Sequence, residues 1–305
     1  MMQVAAILFA GAFTYAASFS AGLIVLKLLR IKLYRMEMLF VGFVFGAACL
    51  STMVFALTVA RLAYTGVFLA LGLLLIAGAV RMGAWRHEGS FPPLALGWRL
   101  AFLGLYALFA ILYIGNALLP EISPDGLTYH VALVARYFRE HRLPGITTNF
   151  YASFPEGLEM LFLFGFAFGR HAAAAMVHLL FLLTLPLGML AYARRFGSPV
   201  AGVAGGLLFF LSPVAAKDGT IAYNDVGLAC VVFACFYVVQ IWRERRDLLL
   251  LFAAGLLAGF AYAVKYNGGL AVVYVLGMTV FHYRKKFLRP AMLVMAGALL
   301  MMGPW

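Results

Sequence analysis

Asp125, Asp225 and Lys265 are the side chains most able to do chemistry, and each stands where the chain passes between polar and apolar sequence. Asp125 lies in Pro124-Asp125-Gly126-Leu127-Thr128-Tyr129-His130. That run sits inside Leu118 to Gly169, the longest segment that is not simply apolar. The segment carries Glu121, Asp125, Glu140, Glu156 and Glu159, five of the chain's eleven acids, with His130, His141, Arg136, Arg139 and Arg142 among them. An aspartate ahead of a helix can cap it by accepting backbone N–H bonds. It can also take a proton from a reacting hydroxyl. Both roles stay open for Asp125, and the same two stay open for Asp225, which follows Tyr223-Asn224 and opens the apolar run Val226-Gly227-Leu228. Lys265 stands in Val264-Lys265-Tyr266-Asn267-Gly268-Gly269. Its stem can snorkel to a membrane interface, or its compact ammonium can meet a phosphate where the two glycines let backbone approach closely.

Tyr129 and His130 follow Asp125 closely, and a lone histidine in such a place more often makes hydrogen bonds than binds a metal. His171 and His178 share a helical face without a third ligand, so no metal site is expected from them. The sequence holds no phosphate-binding P-loop, nucleophile elbow or zinc-protease helix.

The elements that position these residues are membrane helices. Of 305 residues, 65% are hydrophobic and only 11% charged, and uncharged apolar runs near 20 residues recur throughout. That composition excludes an ordinary soluble domain, and the runs lack the short alternation of an outer-membrane barrel. The net charge of +12 does not indicate nucleic acid, because the basic residues fall in short clusters between apolar runs. Cys49, Cys230 and Cys235 lie within apolar sequence and read as small buried hydrophobes. The expected fold is an all-α polytopic integral membrane protein of about 10 transmembrane helices, at roughly 3–26, 37–60, 62–80, 100–119, 171–193, 199–213, 225–242, 248–264, 268–283 and 290–305. Residues 1–99 form three N-terminal spans and a basic loop. Residues 100–305 form the core, with an extracytoplasmic loop over 120–170.

Lysine and arginine set the orientation. The clusters Lys27 to Arg35, Arg81 to Arg99, Arg194-Arg195, Arg243 to Arg246 and Arg284 to Arg289 fall on one set of loops, expected to be cytoplasmic. Most of the acids fall on the other. Within the outward loop, Leu127, Val131, Val134 and Phe138 make an apolar stripe, so residues 127–142 read as an interfacial helix, ended by Pro144-Gly145. Gly157 to Gly169 is too short to cross and carries Glu159, so it reads as a re-entrant or surface helix.

Taken in order, these features resemble the GT-C class of polytopic glycosyltransferases, in particular the dolichyl- or polyprenyl-phosphate-sugar transferase group, to which protein O-mannosyltransferases and the lipid A aminoarabinose transferase are related. The likeness is carried by Asp125-Gly126-Leu127-Thr128-Tyr129-His130 after a span, by Pro155-Glu156-Gly157, by Tyr192-Ala193-Arg194-Arg195-Phe196-Gly197, by Leu211-Ser212-Pro213 and Tyr223-Asn224-Asp225, by Gly255-Leu256-Leu257-Ala258-Gly259-Phe260-Ala261 leading to Lys265, and by Gly303-Pro304-Trp305. It covers roughly residues 100–305. Two departures stand out: three spans precede the core, and members of the group are usually longer, so the chain is expected to be C-terminally incomplete.

The resemblance implies inverting transfer of a sugar from a polyprenyl-phosphate donor to a lipid, glycan or protein hydroxyl at the outward face. Asp125 would be the general base, Asp225 the second acidic position of the site, orienting the acceptor or binding a divalent cation, and Lys265, Arg136 or Arg139 the partner of the leaving phosphate. Tyr129, His130, Tyr223, Asn224 and Asn267 are the further substrate-binding candidates. No cofactor is certain, and a divalent cation near Asp125 and Asp225 stays open. The implied setting is a bacterial inner membrane with the site facing outward. A transporter or flippase and a non-catalytic scaffold are the competing classes. The first would place charge near the bilayer midplane, where these spans carry almost none.

Overall fold

The computed structural model describes residues 2–305, and all regular structure within them is helical. Thirteen α-helices follow one another: α1 Met2–Leu28, α2 Arg35–Val59, α3 Thr65–Arg81, α4 Leu96–Ala117, α5 Val131–Glu140, α6 Gly157–Gly169, α7 His171–Arg195, α8 Pro199–Phe210, α9 Pro213–Gly219, α10 Asp225–Arg245, α11 Leu248–Val264, α12 Leu270–Tyr283 and α13 Leu288–Met302. A π-helical turn over Gly126–His130 leads into α5.

Five helices, α1, α2, α4, α7 and α10, are long and apolar enough to cross a membrane, and six crossings result if α8 and α9 count as one. The expected number was about ten. The remaining expected spans appear as shorter helices: α3 and α11 have 17 residues, α13 has 15 and α12 has 14. At 1.5 Å per residue, 17 residues reach about 25 Å, short of a hydrocarbon core of about 30 Å. The span expected at 199–213 is broken, because Pro213 starts a new helix and the two halves bend by 64°.

The centre of the bundle is α1, α2, α6, α7, α10 and α11. The α1–α2 crossing depends on two glycines. A Cβ on Gly22 would lie 1.8 Å from the Gly42 carbonyl oxygen, and one on Gly46 would lie 1.5 Å from that of Ser18. Only bare backbone allows so close an approach. In contrast, α4 packs through few residues and leaves Leu100, Leu103, Leu108, Ile111 and Leu112 exposed, as a lipid-facing helix does.

The basic loops gather at one end of this bundle. Arg195 bridges Glu37 and Glu244, and Arg245 pairs with Glu88. The loops assigned to the opposite side gather at the other end. There the His141 ring meets the Ala63 carbonyl at 3.0 Å, and the Glu121 carboxylate accepts from the Ala222 N–H at 2.6 Å. The sorting of loops by charge therefore matches their sorting in space.

The helix α6 is neither exposed nor spanning. It is buried along nearly its whole length between α1, α2, α5 and α7. Its first carbonyl, of Gly157, accepts from Ser51 Oγ, part-way along α2. Its far end, at Ala167, accepts from Thr65 Oγ1 at the start of α3. It therefore rises from inside the bundle to the acid-rich end and turns sharply into α7. The turn residue Arg170 has φ +60°, an uncommon conformation for a non-glycine residue. Its guanidinium stacks over the Phe138 and Phe166 rings, 5.1 and 5.8 Å from their centroids. In α5 the buried residues are Val131, Leu133, Val134 and Tyr137, whereas Leu127 is exposed and Phe138 only partly covered. Val131 and Val134 are thus buried as the stripe expects and Leu133 and Tyr137 complete the buried face, while Leu127, in the π-helical turn, falls out of register with it.

Candidate active site

A cavity of about 300 Å³ opens at the acid-rich end. Three segments build it. The turn and helix after α4 contribute Tyr129 and Leu133, the chain entering α6 contributes Tyr151, Phe154, Glu156 and Glu159, and the ends of α10 and α11 contribute Asn224, Lys265, Tyr266 and Asn267. One wall is aromatic: Tyr129 stacks on Tyr151 at 4.2 Å, and Phe154 meets Tyr151 and Tyr266 edge to face. The Tyr266 hydroxyl donates to the Ser153 carbonyl at 3.1 Å, which ties the wall together.

Lys265 and Asp225 meet at the rim, Nζ to Oδ1 2.6 Å, both about half exposed. Asp225 is not used as a cap. The start of α10 is served instead by Asp218, whose Oδ2 accepts from the Val226 N–H at 2.8 Å, and by His178 Nε2, which accepts from the Gly227 N–H at 3.1 Å. The Nδ1 of His178 lies 2.9 Å from the Ile221 carbonyl, so the ring is neutral with its proton on Nδ1. Lys265 is extended between α11 and the turn Tyr266–Gly269. Gly268 lets that turn fold back, since a Cβ there would lie 2.0 Å from the Ala261 carbonyl oxygen.

Asp125 is exposed, has helical backbone and makes no capping bond. It lies one turn before Tyr129, whose phenol is pushed above its ordinary range by burial first and then by the Asp125 carboxylate. Asp125 does not line the cavity itself. Both aspartates are thus free of the capping role that the sequence left open.

The floor is acidic and buried. Glu159 Oε1 is 2.5 Å from His130 Nδ1 and 3.4 Å from Asn224 Nδ2, while its Oε2 is buried without a hydrogen-bond partner. One turn earlier, Glu156 accepts from the Tyr137 hydroxyl at 2.8 Å. Burial pushes the Glu156 carboxyl up to about 8, with the neighbouring Glu159 charge acting the same way, so it is largely neutral at physiological pH. Tyr137 is raised too, by burial and then by Glu156.

Of the residues singled out from sequence, Tyr129, Asn224, Lys265 and Asn267 line the cavity, with Asp225 paired to Lys265 at its rim. His130 stands behind Glu159, and Tyr223 lies 5.9 Å from the His130 ring. Arg136 and Arg139 are not among the lining residues. Arg136 pairs with Glu140 at 3.0 Å along α5 and lowers that carboxyl from its ordinary value, and Arg139 is exposed. Glu156, Glu159 and Tyr151 were not singled out. Glu159 had a signal: an acid inside a thirteen-residue apolar run must be partnered or functional.

No group of three or more His, Cys, Asp or Glu side chains that could hold a metal occurs among the described residues. Asp225 is paired with Lys265, and Asp125 stands outside the cavity lining.

Residues 160–305 match the family model described as dolichyl-phosphate-mannose-protein mannosyltransferase. The match supports placing the protein in the GT-C superfamily of membrane glycosyltransferases. It takes in α6 from Met160 onward, Tyr223-Asn224-Asp225 and Lys265, and leaves Asp125, Glu156 and Glu159 outside. No curated protein and no solved structure matches the chain.

Proposed function

We propose that the protein transfers a sugar from a polyprenyl-phosphate donor to an acceptor hydroxyl at the outward face of a membrane, with inversion at the anomeric carbon. The observation that carries this reading is the cavity, which joins one cation, an aromatic wall and a buried acidic floor at the acid-rich end of the bundle. Each part answers a feature of such a donor. The Lys265 ammonium, held at the rim by Asp225, offsets charge on the phosphate as the bond to the sugar breaks. The faces of Tyr129, Tyr151 and Tyr266 suit the apolar face of a sugar ring. The free oxygen of Glu159 and the neutral carboxyl of Glu156 offer an acceptor and a donor to sugar hydroxyls.

Asp125 acts as general base in this reading. It takes the proton from the acceptor hydroxyl as that oxygen attacks the anomeric carbon. The new carbon–oxygen bond forms while the bond to the phosphate oxygen breaks, and the electron pair leaves with the lipid phosphate. Its exposure and lack of a capping bond leave it free to do so. By the positive-inside rule this end faces away from the cytoplasm. A transporter would share the bent α8–α9 pair, but the acid there, Asp218, is spent on the start of α10.

The test supplies radiolabelled polyprenyl-phosphate sugars to the parent and to Asp125→Asn in nanodiscs. Saturable donor binding by both, with turnover by the parent alone, is expected. Parent-like turnover in Asp125→Asn removes the assigned base, and absence of binding by any donor removes the transferase reading.

A further inference from the structure

We propose that the basic end of the bundle holds a second binding site, for an anionic phospholipid. Its phosphate headgroup rests among Arg30, Lys32 and Arg86, and the upper part of its chains lies on Leu26, Leu33 and Trp85. A cavity of about 710 Å³ opens there between the end of α1, the start of α2 and the segment after α3. It is more than twice the volume of the candidate active site and shares no residue with it. Its back wall is apolar and largely buried, and its rim is basic.

Basic residues at this end are expected of any multi-pass protein, so their number alone carries nothing. Their partners do. Arg195 is held by Glu37 and Glu244, Arg245 by Glu88, and Arg194 donates to the Pro92 carbonyl. Around the cavity, Lys27 donates to the Met82 carbonyl, His87 Nδ1 accepts from the Gly89 N–H, and the charge of Glu88 is engaged by Arg245. The side chains of Arg30, Lys32 and Arg86 are exposed and have no hydrogen-bond or ion-pair partner among the described residues. No free carboxylate of the protein lines the space they face.

Three free cations on the rim of an apolar hollow suit an anion with an apolar tail. Arginine binds phosphate oxygens through paired N–H groups, and basic pockets between helices on the cytoplasmic side are suited to anionic headgroups. A small soluble anion would leave the apolar wall uncovered. A zwitterionic headgroup would bring its own cation toward these three. Trp85 is 54% exposed and meets Phe19 edge to face at 5.1 Å, with its indole placed as at a membrane interface.

The experiment extracts the full chain from vesicles of equal phosphatidylglycerol and phosphatidylcholine and weighs the complexes by native mass spectrometry. Retention of phosphatidylglycerol over phosphatidylcholine by more than tenfold is expected, with the preference lost in R30Q/K32Q/R86Q. Equal retention of the two lipids by the parent, or a preference that persists in the triple variant, overturns the site. A second arm needs no variant: dioctanoyl phosphatidylglycerol raises the thermal midpoint of the parent, and dioctanoyl phosphatidylcholine does not. If inorganic phosphate alone reproduces that rise at the same concentration, the ligand is a free anion and the lipid assignment fails.

Discussion

Glu37 and Glu159 are both buried carboxylates with a cationic or imidazole partner, one at each end of the bundle, and the protein treats them differently. Glu37 is fully satisfied. Its oxygens meet Arg195 at 2.8 and 3.0 Å, the Tyr237 hydroxyl at 2.7 Å and the Tyr34 N–H at 2.8 Å, and Arg195 continues to Glu244. It joins the start of α2 to the ends of α7 and α10. Glu159 is fixed by one oxygen only, through His130 and Asn224, while its other oxygen is buried and unpaired beside a cavity. Leaving a buried acceptor oxygen unpaired costs stability. The first arrangement locks helices together, and the second leaves an acceptor beside the cavity, where the proposed function places the sugar hydroxyls.

The largest expected effect tests the lock. Arg195→Ala leaves Glu37 buried without its cation, and breaking such a pair costs about 3–5 kcal/mol. Thermal unfolding in detergent should show a steep fall in midpoint. A midpoint close to the parent's would mean that Glu37 is neutralised by other means, and the contrast between the two ends would lose its basis.

Glu159→Gln is the matching change at the other end. It keeps the size of the side chain and removes the charge that His130 meets. We expect little change in unfolding midpoint and a loss in turnover of at least about tenfold, or ~1.4 kcal/mol of transition-state stabilisation. A variant that unfolds early yet turns over normally once folded would make Glu159 a second lock.

The contrast between these two glutamates was only partly legible in sequence. Apolar run length gave the five long helices, because a 20-residue run is its own signal, and basic clustering gave which loops share an end. Lys265, Asn224 and Asn267 could be singled out because each ends or begins an apolar run. The other expected spans appear as shorter helices, because hydropathy records apolarity and not where a helix ends, and the one expected at 199–213 is broken where Pro213 bends the backbone. The pairing of His130 with Glu159 was hidden for a different reason. The two are 29 residues apart, on elements whose meeting is decided by α6 turning back beneath α5. Arg136 looked able to reach a phosphate; it stands outside the cavity lining and pairs with Glu140 one turn on.

Glu156 offers the finest test of whether the acidic floor is an environment and not just a pair of residues. Its carboxyl ordinarily ionises near 4.5 and is raised to about 8 by burial. The sign follows from linkage: the folded protein keeps a proton that the unfolded chain releases. The stability Glu156 supports is therefore fully present below about 4.5, falls as pH rises, and levels off above about 8. Unfolding midpoints measured across that window should decline, and Glu156→Gln should flatten the decline. Tyr137→Phe is subtler. The Tyr137 hydroxyl donates to Glu156 at 2.8 Å and opposes the upward shift. Losing that bond should cost about 1 kcal/mol and carry the decline to higher pH. A Tyr137→Phe profile that moves toward acid instead would show that the phenol protects the neutral carboxyl. The floor would then owe its proton to that hydroxyl and not to burial.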